Sequence, residues 1–214
     1  MKKNYFDTLA PWYLFLEKLS FGNQLQKCRV SQNKRLRYAQ NVLILGDGNG
    51  KFLESYLEAN KDANIDSLDI SKTMISLAKN RIGLTHNRHK INLINADVFK
   101  WEFPENKYDL VVANFFLDCF TVPELKNLIE KISISLIPNG KFLYGDFNVP
   151  ASFLKKILIN VLLSMMYIFF RIFTRISARS LNDPSFLLMQ NGFELENEHY
   201  QLGSFLKSQL WVKI

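Results

Sequence analysis

The sequence has few residues of the kinds that bind metals or form disulfides. It contains two cysteines and three histidines among 214 residues, and Cys28 and Cys119 lie too far apart to form the CxxC pair of a zinc or redox motif. Two distant thiols also make no disulfide framework. We therefore expect a protein of a reduced, cytoplasmic compartment, with no metal site and no covalent staple.

The sequence also lacks an uninterrupted apolar run of membrane-spanning length. Its most apolar stretch, residues 157–170, is broken by Asn160 and Ser164 and is shorter than the roughly 20 residues that cross a bilayer. The N-terminal residues include Asp7 and Pro11, and they lack the apolar core and cleavage site of an export signal. Neither a transmembrane helix nor a secretory leader is expected.

Acidic residues are missing from two long stretches, although the whole chain holds 20 acids against 27 lysines and arginines. Residues 18–46 and 147–182 contain no Asp or Glu. These basic stretches are either solvated faces or surfaces that attract an anionic membrane or an anionic substrate. No recognised nucleic-acid-binding motif accompanies the charge, so we expect no nucleic-acid partner.

The remaining composition is that of an ordinary globular protein, with 48% hydrophobic and 22% charged residues. No internal repeat or low-complexity linker divides the chain. We expect one domain over residues 1–214. It would comprise a helical N-terminal lid (1–40), a ligand-binding core (41–147), a cap helix (148–182) and a C-terminal sheet edge (183–214).

Strand and helix patterns alternate through the central hundred residues. Strands are predicted at 41–45, 64–70, 91–96, 108–113 and 141–146, and helices at 51–60, after the cap residue Ser71, and at 122–136. Pro138-Asn139-Gly140 predicts a turn, and residues 193–201 and 205–213 predict an antiparallel hairpin. The pattern favours an α/β, doubly wound, seven-stranded and mainly parallel sheet with that hairpin at its edge.

Three strand ends carry residues suited to a nucleoside ligand. The turn Gly46-Asp47-Gly48-Asn49-Gly50 follows the first predicted strand, where glycine lets the backbone approach a ligand closely. Its spacing differs from the GxGxxG of nicotinamide sites, which disfavours that class. Asp69 ends the second strand and can accept from ribose hydroxyls or cap the next helix. Asp97 follows the third strand.

These segments resemble the class I S-adenosylmethionine-dependent methyltransferases between about residues 41 and 147. The similarity lies in VLILGDGNG, LDISKTMISLAKNRI, NADVFKWEFPENKYDLVVANFFL and ISLIPNGKFLY. The resemblance implies that Gly46, Gly48 and Gly50 line the methionine portion of the cofactor, that Asp69 holds the ribose, and that Asp97 meets the adenine with Val98 beside it. Ile70 and Asn114 complete the expected cofactor contacts. Met74 would neighbour the adenine ring, or else serve ordinary helix packing.

One position departs from the family pattern. An acid commonly stands two places before the first glycine, where this chain has Ile44. Asp47, inside the turn, is the residue that would compensate. Its carboxylate would reach the methionine ammonium, cap the following helix or face solvent, and the sequence leaves these three alternatives open.

The N-terminal segment YFDTLAPWY resembles the YDxxAxxYD pattern of ubiquinone and menaquinone biosynthesis methyltransferases, with Leu14 in place of the final Asp. In those relatives the segment folds over the cofactor. The resemblance therefore implies that Tyr5 and Tyr13 are lid residues on the substrate side. The alternative is that they are aromatic anchors of an N-terminal helix.

Candidate catalytic residues lie near the ends of the fourth and fifth strands: Asn114, Asp118 and Asp146. Methyl transfer is an in-line displacement that needs alignment and exclusion of water, so a base is optional. Asp118 could deprotonate an oxygen nucleophile if burial raises its pKa. An apolar wall for the substrate is predicted from Phe115, Phe116, Phe120 and Phe147.

Residues 152–179 predict an apolar helix with one narrow polar stripe. The stripe consists of Lys156, Asn160, Ser164, Tyr167, Arg171 and Arg175. The helix is a lid over a pocket, a homodimer contact or an interfacial helix at a membrane surface. As a lid it would give an apolar pocket with Tyr167 and Arg171 at the substrate.

The sequence therefore favours a methyltransferase that uses S-adenosylmethionine and a small, hydrophobic acceptor. Two alternatives stay open. One is a cofactor-binding but noncatalytic partner subunit, which Ile44 and the lack of a clear base suggest. The other is a nicotinamide or nucleotide-sugar enzyme built on a related sheet.

Overall fold

The computed structural model describes residues 23–83, 90–148 and 181–214. Tyr5, Tyr13, Tyr167 and Arg171 lie outside these described residues. So do most of the N-terminal lid and nearly all of the cap helix that the sequence predicts. Their proposed roles therefore stay predictions.

The described residues form six helices and seven strands around one sheet. In chain order these are α1 (Gln24–Val30), α2 (Asn33–Leu36), β1 (Asn41–Leu45), α3 (Lys51–Ala59), β2 (Asn64–Asp69), α4 (Lys72–Ile82), β3 (Ile91–Asn95), β4 (Tyr108–Asn114), α5 (Val122–Ser135), β5 (Leu136–Phe147), α6 (Ser185–Gln190), β6 (Phe193–Gln201) and β7 (Leu206–Lys213). A short 3-10 turn covers Leu117–Cys119. Within the described part of the chain, no helix has the length and apolar character needed to cross a membrane.

The strands lie in the order β3-β2-β1-β4-β5-β7-β6. Strands β1 to β5 pair in parallel, whereas β7 runs antiparallel to both β5 and β6. The predicted α/β sheet with an antiparallel C-terminal hairpin is confirmed. The direction of winding reverses between β1 and β4, and ligands of such sheets bind in the crevice at that point.

Two apolar layers cover the sheet, because side chains alternate along each strand. In β1, Leu43 and Leu45 face the layer that contains α5, whereas Val42 and Ile44 face the layer that contains α3. Ile44 is 2% exposed. The residue that replaces the family's usual acid is therefore a core residue.

Helix α4 begins as the sequence predicts. The Ser71 hydroxyl accepts a hydrogen bond from the Met74 amide at 3.2 Å, which satisfies one of the amides that a helix start leaves unpaired. Ser71 is 1% exposed, so water could not replace its hydroxyl as the acceptor for the Met74 amide. The predicted cap is confirmed.

The strand β5 begins five residues earlier than predicted. Leu136 pairs with Tyr108, and Lys141 pairs with Leu110, so the intervening residues bulge within the strand. Asn139 has φ +62° there, and the predicted turn is thus an irregularity inside β5. Helix α6 was not predicted, since its six residues are too few to show a helical period.

Candidate functional site

The turn after β1 is held against the end of β2. The Gly46 amide donates to the Leu68 carbonyl at 2.8 Å, and Gly46, Gly48 and Gly50 all have positive φ. A side chain at Gly46 would overlap the Phe116 ring, and one at Gly50 would lie 3.0 Å from Ala78. These two glycines therefore allow close packing.

Gly48 differs from the other two glycines of the turn. Among the described residues, the Met74 sulfur at 3.8 Å is the contact that a side chain at Gly48 would make. The Gly48 amide donates to Asp69 Oδ2 at 3.1 Å. Gly48 therefore has open space where a side chain would stand, next to the Asp69 carboxylate and the Met74 sulfur.

Asp69 joins the turn to the start of α4. Its Oδ2 accepts from Gly48, and its Oδ1 accepts from the Ser71 amide at 2.8 Å. These two amides orient the Asp69 carboxylate. The Asn95 amide donates to the carbonyls of Asp69 and Ile70 at 3.0 and 2.9 Å, which fixes the end of β2 to β3.

The third strand end presents Asp97 beside two apolar residues. Asp97 Oδ1 accepts from the Phe99 amide at 3.0 Å, and Lys100 Nζ lies 4.0 Å from its Oδ2. Val98 is buried, whereas Ile70 on the neighbouring strand end is 41% exposed. The structure thus places Asp69, Ile70, Met74, Asp97 and Val98 around one edge of the sheet, as the sequence predicts for a nucleoside site.

Asp47 acts as a cap for helix α3. Its two carboxylate oxygens accept from the amides of Phe52 and Leu53 at 3.2 and 3.0 Å. Burial raises the pKa of Asp47 to about 7, against the lowering effects of those amides and of the Arg29 charge. Of the three alternatives left by the sequence, the structure therefore shows the helix cap.

Arg29 is a buried cation near Asp47 that the sequence does not single out. It lies in α1 and is 7% exposed, with its Cζ 5.1 Å from the centre of the Phe115 ring. Its charge also lowers the pKa of Asp47. In the sequence, Arg29 is one of several cations in an acid-free stretch, and no local pattern distinguishes it.

The predicted wall of phenylalanines is two separate clusters. Phe115 and Phe147 lie 5.4 Å apart and pack near α1, whereas Phe116 and Phe120 lie 5.0 Å apart against the α5 layer. Phe115 has φ +53°, a backbone conformation that bulky residues rarely adopt. Phe115 and Phe116 thus pack in different clusters, and the role of these phenylalanines as a substrate wall stays a prediction.

The catalytic candidates divide between the two faces of β5. The Asn114 side chain lies over Gly145, and its Oδ1 would be 2.8 Å from a Cβ atom at that glycine. Asp146, the next residue in the strand, therefore faces the opposite side, where the Asp118 amide binds its carboxyl. The structure brings Asp118 and Asp146 together and places Asn114 apart from them.

The paired acids are poorly solvated. Asp146 is 1% exposed, and its Oδ2 has no hydrogen-bond partner among the described residues. Burial and the Asp118 charge raise the pKa of Asp146 well above its ordinary value. Burial also raises the pKa of Asp118 to about 6, although the Cys119 thiol donates to its Oδ1 at 3.7 Å.

No group of three or more histidine, cysteine, aspartate or glutamate side chains is arranged to hold a metal within residues 23–83, 90–148 and 181–214. Both cysteines are free thiols.

Comparison with known proteins agrees with this site. Residues 42–140 match the methyltransferase domain family. The chain is 36% identical over 107 residues to malonyl-[acyl-carrier protein] O-methyltransferase 2 of Ilyobacter polytropus. The matched region covers 50% of this chain and 39% of that protein. It is 30% identical over 164 residues to the ubiquinone/menaquinone biosynthesis C-methyltransferase UbiE of Blochmanniella floridana. The matched region covers 74% of this chain and 63% of that protein.

The chain thus spans less than two thirds of the length of either relative. Its fold is also similar to the S-adenosylmethionine-dependent methyltransferase SibL, with a TM-score of 0.72 at 16% identity over 94% of this chain and 58% of that one. These similarities favour a methyltransferase over the nicotinamide and nucleotide-sugar alternatives. Residues 42–140 are therefore a methyltransferase domain, and the chain is similar to class I methyltransferases, whose cofactor is S-adenosylmethionine.

Proposed function

We propose that this chain binds S-adenosylmethionine at the ends of β1, β2 and β3 and transfers its methyl group to a small, hydrophobic acceptor. The observation that carries the proposal is the hydrogen bond from the Gly48 amide to Asp69 Oδ2 at 3.1 Å. This hydrogen bond holds the Asp69 carboxylate, which would accept from the ribose hydroxyls, beside Gly48. Gly48 is the glycine of the turn that leaves space for a ligand. A sheet with this strand order binds its ligand at that point.

The residues at the site match the parts of the cofactor. Asp69 would accept from the ribose hydroxyls, and Asp97 would accept from the adenine amino group. Ile70 and Met74 would cover the adenine ring, which explains why Ile70 is exposed to solvent without a ligand. Asn114 supports the fit, because both polar atoms of its buried amide have no partner among the described residues and a polar ligand would satisfy them.

The bound cofactor supplies a methyl group on a positively charged sulfur. The chain itself aligns the acceptor and excludes water. Phe115, Phe116 and Phe147, which flank the ends of β4 and β5, would supply apolar surface for these tasks. A hydrophobic acceptor gains from this surface because its burial removes apolar area from water.

Asp118 is the residue that we assign to proton removal from an oxygen acceptor. Its pKa of about 6 leaves the carboxylate largely ionised at neutral pH and still basic enough to take a proton. Asp118 would take the proton of the acceptor's hydroxyl as that oxygen receives the methyl group. Asp146 acts through Asp118, because its carboxyl binds the Asp118 amide.

A noncatalytic partner subunit is the second candidate function. It is favoured by Ile44, which is buried in the core, and by Asp47, whose carboxylate caps α3. Neither residue supplies the free acid that the family commonly offers to the cofactor. The relatives named above methylate oxygen in one case and carbon in the other, so their names do not choose one acceptor atom for this chain.

The test combines calorimetry with S-adenosylhomocysteine and a turnover assay on a panel of acceptors. The panel holds an alkyl hydroquinone, a fatty-acyl thioester with a free carboxylate and, as a polar control, glycine. We expect binding, and methylated product from a hydrophobic acceptor only. Binding without product on any acceptor would favour the partner subunit, and product on glycine alone would contradict the hydrophobic acceptor.

Homodimer and membrane-surface contacts are further proposals that depend on residues 152–179, which lie outside the described residues. A cytoplasmic location is likewise a proposal, based on the two free thiols.

A further inference from the structure

We propose that Lys207 is a positioning residue for the paired acids Asp118 and Asp146, and that it keeps a single negative charge on this pair by acting through Asp146. This inference rests on the proposed function, in which Asp118 takes a proton from an oxygen acceptor. It adds a charged residue of the C-terminal hairpin to a site otherwise formed by the ends of β1 to β5.

Lys207 and Asp146 lie on the same face of the sheet. The two residues are direct partners in the antiparallel register of β5 and β7, and the Cβ atoms of such partners are about 4.5–5.5 Å apart. Lys207 Nζ is 5.4 Å from the centre of the Tyr144 ring. Tyr144 precedes Asp146 by two residues, so it shares this face. The ammonium group is therefore on the side of the sheet that carries the paired acids.

Burial makes the charge of Lys207 effective at this place. Lys207 is 5% exposed and Asp146 is 1% exposed, so water and salt screen their interaction little. Lys207 also forms an ion pair with Asp183, with Nζ 3.1 Å from Oδ1. The Asp183 side chain is 65% exposed, and solvent weakens the field of a surface charge. Lys207 thus acts on Asp146 more strongly than Asp183 does.

The paired acids favour one proton between them, because two adjacent buried carboxylates oppose each other. Burial and the Asp118 charge raise the pKa of Asp146, whereas the Lys207 charge lowers it. Asp146 Oδ1 accepts from the Phe147 amide at 2.7 Å. Its Oδ2 has no partner among residues 23–83, 90–148 and 181–214, so this oxygen can carry the proton. The other acid is then ionised, and Lys207 stabilises the negative charge of the pair.

The titratable and charged groups around Asp146 come from several elements. They are Cys28 of α1, Asp118 and Cys119 of the 3-10 turn, Tyr144 of β5, Lys207 of β7 and, beyond Lys207, Asp183. Burial raises the pKa values of Cys28, Cys119 and Tyr144, so these groups are neutral near pH 6, where Asp118 titrates. Arg29 packs on Phe115 in the cluster of the opposite face. In the described part of the chain, Lys207 is therefore the cation beside the paired acids.

The experiment measures kcat/KM against pH with an oxygen acceptor that the unmodified chain methylates. Lys207→Met should move the rise near pH 6 upward by about one pH unit, because loss of a nearby cation favours the protonated pair. Lys207→Arg keeps the charge and should restore the original position of the rise. An unmoved rise in Lys207→Met, or the same shift in Lys207→Arg, would overturn the inference.

Two further variants separate the charge of Lys207 from its structural contacts. Asp183→Asn breaks the same ion pair but removes the opposite charge, so it should leave the rise in place or move it to lower pH. Lys213→Met is the matched control in the same strand, since Lys213 Nζ donates to the carbonyls of Ser133 and Leu136 at 2.7 and 2.8 Å. An upward shift in either variant, equal to that of Lys207→Met, would overturn the inference.

A carbon-13 NMR titration of the aspartate carboxyls tests the charge pairing without turnover. The Asp118→Asn variant identifies the Asp118 signal, and Lys207→Met should move the titration of that signal upward by about one pH unit. An unchanged titration would overturn the inference. A shifted titration in a chain that methylates no acceptor would support the charge pairing and contradict the proposed function itself. Circular dichroism melting identifies folded variants, and Lys207→Gln replaces Lys207→Met if the latter does not fold.

Discussion

Replacement of Asp69 by alanine should weaken cofactor binding by an amount that the structure allows us to estimate. Asp69 would accept from two ribose hydroxyls, and a hydrogen bond to a charged group contributes about 1.5–3 kcal/mol. Water partly replaces the lost partner at this half-buried edge, so we expect a total loss of about 2–3 kcal/mol, or about 30- to 150-fold in the dissociation constant. Asp69→Ala also removes the acceptor of the Gly48 and Ser71 amides.

The assay is calorimetric titration of S-adenosylhomocysteine into the unmodified chain, Asp69→Ala and Asp69→Asn. The asparagine variant keeps one acceptor oxygen and should fall between the other two. Asp66→Asn is the matched control, because Asp66 lies in the middle of the same strand and binds Lys107 and Tyr108 at 2.7 and 2.6 Å. It should lower stability and leave affinity unchanged. Unchanged affinity in folded Asp69→Ala, or an equal loss in the control, would refute the reasoning.

Three further predictions concern helix starts and the paired acids. Gly50→Ala should lower the free energy of unfolding, measured in urea, by about 1–3 kcal/mol. Gly50 has φ +80°, and the new side chain would lie 3.0 Å from the backbone of the next helix. An unchanged midpoint of urea unfolding would contradict this prediction. Ser71→Ala should cost about 1 kcal/mol and lower the melting temperature by roughly 2–4 °C, and a melting curve that matches the unmodified chain would show that the cap is dispensable. For an oxygen acceptor, kcat/KM should rise as pH rises through about 6, because Asp118, with its raised pKa of about 6, then becomes ionised and can act as a base. Asp118→Asn should abolish this rise in kcat/KM. A rise that persists in the variant would exclude Asp118 as its source.

The strands and the cofactor edge are predictable from sequence because their signals are local. β1 and β2 are short aliphatic runs that end in a glycine turn and an acid, and a buried parallel strand requires this kind of run. Ser71 is recognised because a helix start favours a hydroxyl one residue before the helix. The residues that meet at one edge follow from strand order alone, since parallel strands end on the same side.

Contacts between distant segments are the part that sequence reasoning misses. Arg29 reaches Phe115 from α1, and nothing in either local pattern indicates the meeting. Asp47 has three chemically reasonable partners, and only the path of the turn brings its carboxylate to the amides of α3. Likewise, Phe115 packs near α1 and Phe116 packs against the α5 layer, and a list of apolar residues does not show which cluster each one joins.

The most direct test of the central claim is a crystal structure of the chain with S-adenosylhomocysteine. The account predicts density at the edge formed by the ends of β1, β2 and β3, with the ribose hydroxyls within hydrogen-bond distance of Asp69 and the adenine amino group beside Asp97. Density at another surface, or a ribose that does not contact Asp69, would contradict it.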